Sequence, residues 1–221
     1  MNDNNTPQTG PNRIQAKLID IRLKAAPFFK RLLPDWVFEI VKRFYNWLTG
    51  SYGVAMIIDA DAVDTIPEPD LPAEYTFHTL NTGKPEDYVL VMQESLVKQA
   101  AAAWFETTFT RDKEYDPSNL FLIYRSDEPV AAAAAWHEVY EGEKTGLLHM
   151  VGVREKYQGI GLGRAVVVKT LKRLRQRGFR RIKLATESYR QPAIRLYLSL
   201  GFQPVIKNRR SRKLWKEILL S

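Results

Sequence analysis

Residues 156–169, KYQGIGLGRAVVVK, set Gly159, Gly161 and Gly163 at alternate positions. They lie between an apolar run, GLLHMVGV (residues 146–153), and an amphipathic, arginine-rich one. The first run has the length and flanking glycine of a buried strand. In the second, Val167, Leu171 and Leu174 share a helical stripe that ends at Gly178. Bare backbone at a strand-to-helix junction lets amide N–H groups approach an anion, and the positive end of the helix favours that anion. Spacing narrows the choice. The dinucleotide pattern Gly-x-Gly-x-x-Gly/Ala fails, because its sixth position is Arg164 counted from Gly159 and Val166 counted from Gly161. No Gly-x-x-x-x-Gly-Lys-Ser/Thr string for a triphosphate occurs.

Working outward, the 221 residues allow one domain plus an extension, and 45% hydrophobic residues provide for a core. There is no cysteine, so disulfides, thiolate metal sites and cysteine nucleophiles are excluded. Three histidines, His78, His137 and His149, argue against a metal site. The start, MNDNNTPQTGPN, is polar and unlike a signal peptide, and no apolar run reaches membrane-spanning length, so a cytoplasmic protein is expected. The net charge of +8 is uneven: roughly +3 over residues 1–60, −11 over 61–152 and +16 over 153–221. The basic end suits a phosphorylated ligand or a nucleic acid, and charge alone does not choose between them.

Residues 1–12 read as a disordered tail, and residues 13–72 as a basic amphipathic helical extension closed by an acidic, proline-rich linker, DADAVDTIPEPDLP. Within the extension, helices are expected over residues 13–33 and 35–49, packed on their own domain or laid on a membrane surface or partner. GVAMIID, from Gly53, has the character of a strand. The main domain is expected to begin near Ala73 and run to residue 206, with a basic helix over 207–221. Inside it, EYTFHTL reads as a strand, one long helix follows from Glu86 through Phe109, and NLFLIYR with PVAAAAAWHEVY form two strands. Alternation of strand and helix after residue 146 indicates an α/β or α+β sheet domain.

The fitting pattern is Gln158-x-x-Gly161-x-Gly163 after a strand ending in Val153. It resembles the pyrophosphate loop of the GNAT superfamily of N-acetyltransferases. A second stretch, QPAIRLYLSLGF, resembles that family's Ala-Ile-x-Leu-Tyr-x-x-x-Gly-Phe helix at Ala193, Ile194, Leu196, Tyr197, Gly201 and Phe202. One helix and one strand separate the two motifs, as in the family. The resemblance covers roughly residues 73–206 and implies a mixed, mostly antiparallel sheet with a splayed parallel strand pair, flanked by helices.

The resemblance further implies acetyl-CoA as co-substrate, an amine acceptor of small-molecule or protein type, and direct transfer between them. The N–H groups of Gly159, Ile160, Gly161, Leu162, Gly163 and Arg164, with Gln158 beside them, would hold the CoA pyrophosphate, and Arg164 and Lys169 would add charge. Backbone of Val151 and Val153 would meet the acyl arm, with the N–H near Val151 on the acetyl carbonyl. Tyr197 would protonate the leaving thiolate. The family often has a glutamate where this chain has His149, so His149 and Glu138 compete as general base. Trp104, Trp136, His137 and Tyr140 are candidates for an acceptor pocket. Two departures stand out: Arg190, where the family commonly has asparagine, and REK (residues 154–156), where it commonly has proline. The first bears on a CoA or substrate contact; the second is expected to matter little. The alternatives are a CoA-binding protein without catalysis and a basic protein associated with nucleic acid or the ribosome.

Overall fold

A computed structural model describes residues 53–98 and 100–220 of the chain. The tail and paired helices expected within residues 1–49 lie outside the described residues. Seven strands form one sheet: β1 (Gly53–Asp59), β2 (Tyr75–Thr79), β3 (Leu120–Arg125), β4 (Glu128–Tyr140), β5 (Glu143–Val153), β6 (Arg181–Glu187) and β7 (Gln203–Pro204). Their spatial order is β2-β3-β4-β5-β6-β1-β7. Every neighbouring pair is antiparallel except β5 and β6, which run parallel. The expected mixed sheet with one parallel pair is therefore present.

Helices cover both faces. One face carries α1 (Pro85–Ser95) and α2 (Ala102–Phe105), the latter running on into a π turn, Glu106–Thr110. The other carries α3 (Leu162–Gln176), α4 (Gln191–Ser199) and α5 (Arg209–Leu220), whose Leu171, Ile194 and Trp215 share one core. The alanine run of β4 explains itself here. Residues 131–135 are fully buried; Ala131, Ala133 and Ala135 join one core, and Ala132 and Ala134 the other. A central strand covered on both faces has no polar side, and small side chains let both layers approach. No helix among the described residues is long and apolar enough to cross a membrane.

Three expectations are corrected. First, the domain does not begin near Ala73. β1 pairs along its whole length with β6 and at Met56 and Ile57 with β7, and Val54, Met56 and Ile58 are buried. Short alternating apolar runs do not show in sequence which sheet they join. Second, the acidic stretch is not a free linker. Ala60–Thr65 forms a 3-10 helix that buries Ala60 and Val63. Its carboxylates meet the basic helix: Arg175 pairs with Asp61 at 2.8 Å and Asp64 at 2.9 Å, and Lys172 with Glu68 at 2.9 Å. Part of the positive surplus is thus neutralised within the fold. Third, the long helix breaks after Ser95. The N–H of Val97 reaches back to the Met92 carbonyl, and Gln93 donates its amide to the Ala100 carbonyl. The break returns Phe105 and Phe109 onto Tyr88, at ring separations of 5.9 and 5.5 Å. Aromatic burial outweighs the helix propensity of the intervening alanines.

Arg154, the first residue of REK, holds the far end of β5. It is 7% exposed and grips Glu94 of α1 through two nitrogens, at 2.8 and 3.1 Å. Another nitrogen binds Glu128 at 2.7 Å and the Pro129 carbonyl at 2.9 Å. Lys156 and the Tyr157 hydroxyl also donate to Glu128. These donors, Lys156 and Tyr157 foremost and the Arg154 charge besides, push the Glu128 carboxyl down to about 2. A residue expected to matter little thus ties α1, β4 and β5 together just before the glycine loop.

Arg154→Met keeps the bulk and removes the charge. Breaking a buried pair costs about 3–5 kcal/mol; we expect about 2 kcal/mol by denaturant melt, because Glu94 and Glu128 stay 42% and 39% exposed. Glu128's share of stability is complete above its ordinary value of 4.5 and is lost as pH falls through about 2, so the gap between parent and variant narrows over that window. Met56→Ala, in a strand the sequence left outside the domain, is expected to cost about 2–4 kcal/mol in the same measurement.

Candidate active site

The parallel strands β5 and β6 are registered at Gly146 with Ile182 and Leu147 with Lys183. Beyond these pairs β5 stays with β4 up to Val153, while β6 stays with β1 up to Glu187. A V-shaped cleft therefore opens between residues 148–153 and 184–187. The β4–β5 register steps from Ala134–His149 to Ala132–Gly152, so Met150 and Val151 together stand against Ala133. This is a β-bulge, with Met150 at a positive φ of 46°. A bulge bends its strand and re-aims its backbone. The Tyr88 hydroxyl donates to the Met150 carbonyl at 3.4 Å, and a Cβ on Gly152 would collide with Ser95 Oγ. Helix α1 thus presses directly on the bulge.

After β5 the chain makes a 3-10 turn, Glu155–Tyr157, that buries Tyr157. The Gln158 side chain donates to the Val153 carbonyl at 3.0 Å, fastening the loop to the strand it leaves. Gly159 and Gly161 have φ values of 84° and 90°, and a Cβ on either would meet nothing within 4 Å. Backbone twist, not crowding, requires glycine there. Gly161 caps α3 without a side chain. Backbone bonding resumes at Ala165, whose N–H donates to the Gly161 carbonyl. Among the described residues, the N–H groups of Gly159 and of residues 161–164 have no backbone acceptor, while a turn at Gln158 and Gly159 directs the Ile160 N–H back towards Tyr157. Free donors at a helix N-terminus, beside an open surface, suit a phosphate or pyrophosphate.

The other residues singled out in the sequence fall as follows. Arg164 is exposed and reaches Ser199 Oγ at 3.4 Å. Lys169 lies further along α3 with its ammonium over Phe77 of β2, not at the loop. Tyr197, on α4, is 6% exposed and packs edge-on to Phe202 at 5.9 Å. Burial raises its phenol to about 12, against a lowering effect from Arg190, so the group is protonated throughout the neutral range.

His149 sits at the bulge on the α1 and α2 face, edge-on to Phe109 at 6.1 Å. Burial among apolar groups lowers its imidazole to about 4, partly offset by the Glu138 charge. It is neutral at pH 7 and poorly matched to removing a proton from an ammonium. Glu138 is held by Lys183 at 2.5 Å. Trp104 and Trp136 pack on Phe109, at 6.0 and 5.2 Å, as parts of the core. His137 stacks on Trp136 and reaches Glu114 at 3.6 Å. Tyr140 is buried, with the Lys183 and Lys207 ammonium groups over its ring at 4.6 and 4.7 Å. Sequence reasoning missed Arg154, Tyr88, Phe109 and Lys183. Their partners are far off in the chain, and no local pattern marks them.

The profile of the acetyltransferase (GNAT) family matches residues 89–202. A mycothiol acetyltransferase of Thermobifida fusca is 29% identical over 161 residues, covering 66% of this chain and 50% of its own. One from Thermomonospora curvata is 32% identical over 142 residues, covering 62% and 47%. The chain thus spans about half the length of these curated relatives. A crystal structure of a GCN5-related N-acetyltransferase from Sphaerobacter thermophilus superposes with a TM-score of 0.57 at 22% identity, covering 69% of this chain and 48% of that one. The last supports the fold; the family profile, spanning more than half the chain, extends from α1 to the end of the Tyr197 motif, and the protein belongs to the GNAT acetyltransferase family.

Proposed function

We propose that this acetyltransferase takes its acetyl group from acetyl-CoA and transfers it directly to a primary amine. The observation that carries the reading is the cleft itself. Amides of the glycine loop, residues 159–164, stand at its mouth; the strands part beyond Leu147 and Lys183, and the Met150–Val151 bulge lies within the parted stretch of β5. In this reading the loop, from Gln158 to Arg164, holds the CoA pyrophosphate. The re-aimed backbone at Val151 binds the acetyl carbonyl, where charge develops as the amine attacks. Val153 borders the acyl arm. Tyr197, kept protonated by its burial, delivers its proton to the departing sulfur.

Acetyl-CoA at a hundred times its Kd is expected to add about 2.7 kcal/mol of stability, a melting-point rise of roughly 5–10 °C. Gly161→Glu places a carboxylate in the open space before the helix, at a strain of roughly 1–2 kcal/mol from its positive φ, and is expected to abolish that shift. No shift in the parent protein defeats the donor assignment. Tyr197→Phe is expected to keep the shift and lose about 10²-fold in kcat. A shift without transfer to any amine would instead favour a CoA-binding protein without catalysis.

A further inference from the structure

Helix α5 carries charge that the fold itself does not answer. Its start is firmly capped: the Asn208 side chain accepts from the Ser211 N–H at 2.9 Å, and Ser211 Oγ accepts from the N–H groups of Lys207 and Asn208. Trp215 and Ile218 bury one face in the core shared with α3 and α4, and Leu214 packs against it. At 3.6 residues per turn, Arg209, Arg212, Lys213 and Lys216 fall on the opposite face, with Leu220 in line and Leu219 at its margin. All of these are exposed, Leu219 by 56% and Leu220 by 78%. None of the four cationic side chains forms an ion pair or hydrogen bond among the described residues. Lys172 and Arg175 of α3, by contrast, are neutralised by the acidic stretch before β2. Helix stability does not explain the pattern. The first turn holds arginines and no acidic residue, which sets cations against the positive end of the helix dipole. A basic stripe kept for solubility, in turn, does not need two leucines beside it.

We propose that this face of α5 is a docking surface for an anionic lipid bilayer. The stripe of Arg209, Arg212, Lys213 and Lys216 lies against the headgroup phosphates, and Leu219 and Leu220 enter the boundary between headgroups and acyl chains. The contact is peripheral. No described helix is long and apolar enough to cross a membrane, and the apolar face of α5 is already taken up by the core. Attachment is therefore mainly electrostatic, with shallow apolar insertion at one end of the helix. Headgroup phosphates at the first turn also relieve the conflict between the arginines and the helix dipole. A nucleic acid would answer the same cations through its phosphates, but it would leave the two leucines in water. The inference is independent of the acetyl-CoA reading, because it uses no residue of the glycine loop or the cleft.

The test follows co-sedimentation of the full chain with vesicles of phosphatidylcholine alone and of phosphatidylcholine with roughly one-third phosphatidylglycerol. Binding is expected to the second and not to the first, and it is expected to fall steeply as salt rises from about 50 to about 500 mM. Arg212→Gln with Lys216→Gln is expected to lower partitioning about 10- to 30-fold, at roughly fivefold per charge. Arg212→Lys with Lys216→Arg preserves the charge and is expected to bind like the parent. Leu219→Ser with Leu220→Ser is expected to cost about tenfold and to leave the salt dependence unchanged. All four positions are exposed, so the variants are expected to melt with the parent. Equal binding to both kinds of vesicle, or binding to neither, overturns the proposal. So does a glutamine variant that binds like the parent, which places the contact elsewhere in the chain, or a charge-preserving variant that loses binding. A serine variant that binds vesicles like the parent overturns it as well. Tighter binding of polyuridylate or duplex DNA than of vesicles, unchanged in that serine variant, then assigns the face to nucleic acid.

Discussion

Gly146 with Ile182 and Leu147 with Lys183 are the registered pairs that join β5 to β6. After them the strands go to different neighbours, β5 to β4 and β6 to β1. Backbone donors and acceptors that leave a ladder need other partners or contact with solvent. Here they line a cleft, and a bulge at Met150 and Val151 turns one stretch of backbone towards it. The cleft therefore does not depend on any single side chain. It depends on two flanking strands pulling apart a parallel pair, and on α1 pressing against the bulge through Tyr88, Met92 and Ser95.

The ends of the cleft are stabilised differently. At the loop, the glycines leave amide dipoles exposed, and nothing acidic between Gln158 and Arg164 opposes an incoming anion. At the far side, charge is largely matched within the protein: Lys183 with Glu138, Arg181 with Glu143, Lys144 with Glu114. The basic character of residues 153–221 divides in the same way. Lys172 and Arg175 of α3 answer the acidic stretch before β2, while Arg164 at the loop carries no carboxylate partner among the described residues. A net charge read from composition merges these two populations.

What is legible in the sequence is local. Gly159, Gly161 and Gly163 mark the loop because a positive φ at the first two needs glycine, and AIRLYLSLGF marks the Tyr197 helix because its pattern lies within a few turns. The sheet class follows from alternating elements. The bulge is not legible, since Met150 looks like any strand residue and its conformation answers to Tyr88, 62 positions away. Arg154 escapes for a related reason: Glu94 and Glu128 lie 60 and 26 positions away, and only the fold makes them neighbours. His149 is visible as a residue type, but its burial, which lowers its basicity, is not: Phe109, edge-on to its ring, is brought there by the broken helix.

The placement of β1 has a bearing on how the chain assembles. One wall of the cleft, β6, is flanked by a strand from the beginning of the described region, and that strand is in turn covered by β7 near its end. Residues 53–59 must wait for residues 181–187 and then 203–204 before their ladder closes. Pairings this distant carry a large loop-closure cost and tend to form late. The hairpins β3–β4 and β4–β5 need only their neighbours. On a ribosome the first of these strands to emerge is thus among the last to find its place, and the cleft takes shape only after nearly all seven strands are made.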